Sequence, residues 1–155
     1  MPQMNKGGKY IFGKSLIREG GEIQLPPMAV SEYDIAAEGR VYLFTGSKST
    51  GGFCVTRRGL LQPSKLRHIL IENAFLLTYS VPEGAFSPYK GRSYCWTSSS
   101  PDGKLLLTQE MLSFLRLTLG MELLCIRSSD IAFTMGAKGP LLEKEKLFDG
   151  EIDVF

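Results

Sequence analysis

The chain has 155 residues, 43% of them hydrophobic and 22% charged, with eighteen Lys and Arg against sixteen Asp and Glu. That balance argues against disorder, because a chain this apolar can bury enough surface to fold. A net charge of +2 excludes nucleic-acid binding driven by bulk charge, so any such surface has to come from local clustering. In chain order, a β-rich run over 9–17 meets Gly20-Gly21, a tight-turn pair that reads as a hairpin tip, and Glu22 to Leu25 then continues as a strand. Pro26-Pro27 opens a helix of a turn or two, with Val30, Tyr33 and Ile35 expected inside. Strands over 40–45 and 52–56 follow as a second hairpin about Gly51-Gly52. Residues 64–73 space Leu66, Ile69 and Leu70 along one side of a helix, and 81–90, with two Pro and a Gly, reads as a loop. A strand over 93–97 leads to the turn pair Asp102-Gly103 and a further strand. A helix is expected over 109–119, with Thr108 as N-cap and Gly120 as stop. The last hairpin is 122–126 with 131–135 about Ser129-Asp130. Residues 141–147 read as a short charged helix, and 149–155 as a loose end or an added edge strand.

Cys54, Cys95 and Cys125 are odd in number and widely spaced, with no Cys-x-x-Cys, so the expectation is packed thiols and neither a disulfide framework nor a zinc site. No apolar run approaches the ~18 residues of a membrane span, and the first residues lack an apolar signal core. A cytoplasmic protein without membrane association is therefore expected.

An ordered series of matches joins the two halves. Gly21-Glu22-Ile23-Gln24-Leu25-Pro26 sits against Gly103-Lys104-Leu105-Leu106-Leu107-Thr108. Gly39 and Gly120 precede the apolar strands Val41 to Phe44 and Leu123 to Ile126, each followed by a Ser within a few residues. Phe53 matches Phe133, and Arg58-Gly59-Leu60-Leu61 matches Lys138-Gly139-Pro140-Leu141. Internal repetition of this kind means one supersecondary unit used twice. Each unit reads as ββαββ, too small to bury much surface by itself. The expected fold is mainly β with short helices: a pseudo-twofold β-barrel in which two units interleave their hairpins. The divisions are a first unit over 9–61, a linker with a helix over 62–91, a second unit over 92–141 and a tail over 142–155.

The order of glycine, apolar pair, Leu-Pro, short helix, glycine and Leu-rich strand resembles the SpoVT/AbrB swapped-hairpin family, with Gly21 to Pro26 as the best local match. Two copies in one chain is similar to the MraZ arrangement, although its Asp-x-x-x-Arg signature is in neither copy. The resemblance implies a DNA-binding transcriptional regulator that assembles as a homo-oligomer. It would contact duplex DNA through basic residues at the hairpin tips and on the short helices. On this sequence those positions give Lys9, Lys14, Arg18 and Lys104. The chain departs from the family where arginine usually follows the glycine, since Glu22 and Lys104 stand there. An arginine pair on the helix is replaced by Val30-Ser31 and Leu112-Ser113. Because phosphate neutralisation carries much of DNA affinity, these losses favour an alternative. That alternative is a degenerate AbrB-like module that binds a protein or a small ligand, through Tyr94 and Trp96 or the linker helix.

No catalytic constellation is visible. His68 is the single histidine and has no companions at ligand spacing, so neither a metal nor another cofactor is expected. Ser98-Ser99-Ser100 lacks a Gly-x-Ser-x-Gly elbow and reads as a polar tip. The glycine pairs lack phosphate-loop endings and read as turns. An enzyme is not expected.

Overall fold

The computed structural model describes residues 3–4, 10–138 and 152–155. Lys9, the match at 139–141 and the tail helix expected over 141–147 lie outside the described residues. The fold is mainly β with short helices, as expected. Its strands are β1 (Gln3–Met4), β2 (Tyr10–Leu16), β3 (Glu22–Gln24), β4 (Arg40–Thr45) and β5 (Phe53–Thr56), then β6 (Ser87–Tyr89), β7 (Arg92–Ser98), β8 (Lys104–Leu106), β9 (Glu122–Arg127) and β10 (Phe133–Gly136). Its helices are α1 (Pro27–Glu32), α2 (Arg58–Leu61), α3 (His68–Glu72), α4 (Ala74–Leu77) and α5 (Gln109–Leu115). The large antiparallel sheet runs β1-β2-β9-β10-β5-β4-β7-β6, and β3 pairs with β8 apart from it.

Strands close in sequence do not all pair. β4 pairs with β5 and β9 with β10, as the second hairpins require. The strands flanking each expected first tip separate: β2 joins β9 and β7 joins β4, while β3 and β8 take each other. The long-range pairings recur at a constant step. Leu16 faces Glu122 and Ser98 faces Arg40; 98 exceeds 16 by 82, and 122 exceeds 40 by 82. The same step relates two cross-links in the small sheet. Leu107 N–H donates to Gly21 O at 2.9 Å, and Leu25 N–H donates to Gly103 O at 3.0 Å. It relates Ile17 N–H to Met121 O, 2.9 Å, with Ser99 N–H to Gly39 O, 2.9 Å.

Alternation along the strands builds the core. Val41 and Leu43 of β4, Phe53 and Val55 of β5, Leu123 and Cys125 of β9, and Phe133 and Met135 of β10 point to one side. There they meet Ile23, Leu25, Leu105 and Leu107 of the small sheet and its flanks, and Met111, Leu112 and Leu115 of α5. Burial of each such large side chain contributes about 1.5–3 kcal/mol. Ala29, Tyr33 and Ile35, in and just after α1, belong to the same core, with the Tyr33 ring against Phe12 and Phe133. The outer side of β4 is covered as well, by Leu61, Ile69, Leu70 and Leu76 from α2, α3 and α4 over Tyr42. Tyr42 Oη donates to Leu76 O at 2.9 Å, which fastens the helices to the sheet.

Several elements differ from the sequence reading. α5 stops at Leu115, because Arg116 turns left-handed (φ 58°) and Leu117 N–H returns to Leu112 O. The cap at its start is as expected: Thr108 Oγ1 accepts from Met111 N–H at 3.2 Å. The helix expected over 64–73 shrinks to α3, because Ser64 Oγ accepts from Leu66 N–H and holds 64–67 as a turn. The loop over 81–90 contains β6. At the end of the chain, Lys14 N–H donates to Asp153 O and Phe155 N–H donates to Lys14 O, so residues 153–155 run along β2. All three cysteines are free and buried.

Candidate functional site

Of the four basic residues picked from the sequence, the three that are described do not form one surface. Lys9 is outside the described residues. Lys14 projects from β2 with Nζ 3.2 Å from Glu122 Oε1, and its side chain is only 12% exposed. Arg18 is exposed just before β3, beside Glu19 and Glu22. Lys104 is exposed on β8 with Nζ 3.8 Å from Asp102 Oδ2. Arg18 N–H bonds Glu22 O, whereas Lys104 lies opposite Gln24, so the two cations sit toward opposite ends of the β3–β8 ladder. Carboxylates alternate with them at the tips and lower the local potential that phosphates would meet.

Other arginines are engaged by neighbouring carboxylates or rings. Arg57 Nη1 meets Glu38 Oε2 at 2.7 Å, and Arg127 is paired with Glu32 while lying over the ring of Tyr10. Arg40 lies over Tyr79 and Trp96, 4.5 and 5.2 Å from the ring centres. Trp96 itself is a cross-strand partner of Tyr42 and donates Nε1–H to Val81 O at 2.7 Å.

A different site lies on the outer side of the large sheet. Register places Tyr94, Phe44, Cys54, Thr134, Ile126 and Ile11 in one row across six strands. Residues in such a row share a face. At its two sides the row is apolar and covered: helices α2 to α4 lie over β4, and Ile152 packs beside Ile11 and Ile126. At the centre, β5 and β10 present Cys54, Thr56 and Thr134, which are small and polar. The covering elements do not fill this stretch, and a cavity of about 490 Å³ remains. That volume lies within the range of small-molecule sites.

The cavity floor is a short polar chain. Thr134 Oγ1 lies 3.4 Å from Cys54 Sγ and is hydrogen-bonded to Ser128 Oγ. Thr56 Oγ1 donates to Ile131 O at 2.6 Å. Burial pushes the Cys54 thiol up, while Thr134 and Arg92 pull it part of the way back; the group is a neutral thiol and not an activated nucleophile. One wall is apolar, from Leu61, Leu66 and Ile69. The other carries Tyr89, Lys90, Arg92 and Tyr94 from β6, β7 and the turn between them. Arg92 lies over the Phe44 ring, 5.5 Å from its centre, and Nη1 donates to Thr45 O at 3.1 Å. His68 reaches the same rim, 6.2 Å from the Tyr89 ring.

Sequence reasoning passed over this site. A signal was present: Phe53-Cys54-Val55-Thr56 and Phe133-Thr134-Met135-Gly136 both alternate apolar with small residues, while Tyr42 and Phe44 on neighbouring β4 put aromatics on that same face. Among the described residues no cluster of His, Cys, Asp or Glu could hold a metal ion, and no helix is long and apolar enough to cross a membrane. No family model, characterised protein or solved structure matches this chain.

Proposed function

We propose that this protein is a small-ligand-binding module on a swapped-hairpin barrel of the AbrB/SpoVT type. In this reading two ββαββ units, one over 9–61 and one over 92–141, close on each other across β3–β8 and β5–β10. The recurring 82-residue step of the pairings supports that duplication. The observation that carries the binding function is the cavity above Cys54, Thr56 and Thr134: a polar floor and partly apolar walls, one of them supplied by Leu61, Leu66 and Ile69. Unfilled volume over a row that is otherwise covered leaves space for a guest. The chemistry of the floor suits hydrogen bonding to a ligand more than covalent catalysis, because the buried Cys54 thiol is paired with the Thr134 hydroxyl and burial holds its proton more tightly than usual.

A second reading is the DNA-binding regulator. It is favoured by the exposure of Arg18 and Lys104 at the tips, since an exposed pair such as Lys104 with Asp102 contributes little and leaves the cation available.

One pair of measurements separates the readings. A fragment set is screened by ligand-detected NMR against the protein and against T134F, which fills the cavity floor. Low-salt gel shifts on random duplex DNA compare the protein with R18E/K104E. Hits lost in T134F and no shift support the ligand module. A salt-sensitive shift lost in R18E/K104E, with no hits sensitive to T134F, replaces it by the regulator. Circular dichroism checks that each variant keeps the sheet.

A further inference from the structure

We infer that the cavity selects organic anions: molecules with an apolar body and a single carboxylate or phosphate group. This rests on the reading of the cavity as a binding site and adds the charge of what enters it.

The first ground is the charge of the lining. Among the described residues Lys90, Arg92 and His68 line the cavity and no Asp or Glu does, although Glu72 acts on Tyr89 of the same wall. Some cations elsewhere are already engaged by carboxylates, and others, such as Arg18, Arg40 and Arg58, are in none of the described ion pairs. Lys14, Arg57, Lys104 and Arg127 each lie within ion-pair distance of a carboxylate. Arg92 and Lys90 are in none of the described ion pairs. One held cation, Arg92, and one exposed cation, Lys90, at a concave, partly apolar space create a positive potential there.

The second ground is that Arg92 is pre-set. Its guanidinium lies over Phe44, and one N–H is tied to Thr45 O. The fork is therefore held in place before any ligand arrives, which limits the side-chain entropy lost on binding. A held fork with further donors matches a carboxylate or phosphate edge. Lys90, on the turn after β6, carries Nζ 5.4 Å from the Tyr89 ring centre and can close over the anionic end.

The third ground concerns the rest of the guest. The wall of Leu61, Leu66 and Ile69 offers no charge and no side-chain donor. An inorganic ion would leave that wall facing water; an aryl or alkyl body would cover it.

The test is calorimetric titration of the full chain with matched probes: 2-naphthoate, 2-naphthyl phosphate and octanoate, beside the neutral 2-naphthamide and octanamide. The expected result is that at least one anion binds tenfold or more tightly than its neutral partner. That margin should vanish in R92Q, persist in R92K and narrow in K90Q. The two anionic 2-naphthyl probes, compared with each other, distinguish a carboxylate guest from a phosphate guest. Amides that bind as tightly as the acids overturn the anion assignment and leave the cavity reading standing. No binding by any probe overturns both. An acid preference unchanged in both R92Q and K90Q overturns the assignment to these residues, and K90Q keeps that outcome readable should R92Q fail to fold.

Discussion

Gly21 and Gly20 are neighbours with nearly the same backbone twist, φ 84° and 81°, but they answer to different constraints. A Cβ on Gly21 would stand 1.9 Å from the carbonyl oxygen of Leu107, the residue just after β8 whose N–H donates to Gly21 O. A Cβ on Gly20 meets nothing within 4 Å. Gly20→Ala therefore pays only for the left-handed conformation, about 1 kcal/mol. Gly21→Ala also has to push β3 away from the segment after β8, and a cost of about 3 kcal/mol or more is expected. Urea unfolding of the two variants measures the contrast, and equal losses would mean that the close approach at Leu107 is not what Gly21 serves. The glycine pair and its turn were legible in the sequence. Which of the two touches a distant strand was not, because local propensity carries no record of a partner many residues away.

At the level of elements, the stretch over 81–84 is stapled to β7. Glu83 Oε2 accepts from Ser98 N–H at 2.7 Å and from Thr97 Oγ1–H at 2.9 Å, and Gly84 N–H donates to Trp96 O at 2.9 Å. Burial tends to raise the Glu83 carboxyl, but these donors and the charge of Arg40 outweigh it and hold the group below the usual carboxylate range. A carboxyl lowered in the folded state stabilises the fold above its unfolded pKa, near 4.3, and that contribution is lost as pH falls through the folded value. E83Q should thus be less stable than the parent at pH 7, and the gap should be smaller at pH 3. Chemical denaturation at both values checks this; a gap of constant size would show that the charge of Glu83 has no part in the staple. Helix lengths at this scale were partly legible. Thr108 announced the start of α5, since a cap acts within its own turn. The stop at Arg116 was not announced, because Leu117 is drawn into the core and breaks the helix ahead of Gly120.

For the whole molecule, the core belongs to neither half. Ile23, Leu25, Leu43 and Phe53 pack in one cluster with Leu105, Leu107, Leu123 and Phe133, and β2 has its partner in β9 as β4 has in β7. Fragments 1–80 and 81–155 made separately should each lack a cooperative unfolding transition, whereas mixing them should restore the sheet signal in circular dichroism. A fragment that unfolds cooperatively alone would show that one half suffices for its own core.

Much was determined by the sequence alone. Apolar runs bounded by turn residues placed β4, β5, β9 and β10 within a residue or two of their ends, since both signals depend on near neighbours. Tertiary structure decided the rest: that β2 and β3 part company across their turn, that Lys14 is held by Glu122, and that Arg92 and Lys90 face a space above Cys54 and Thr134. Those outcomes depend on strands brought together from far along the chain. They are set by which apolar faces must be covered and by the volume that remains when the covering helices do not reach.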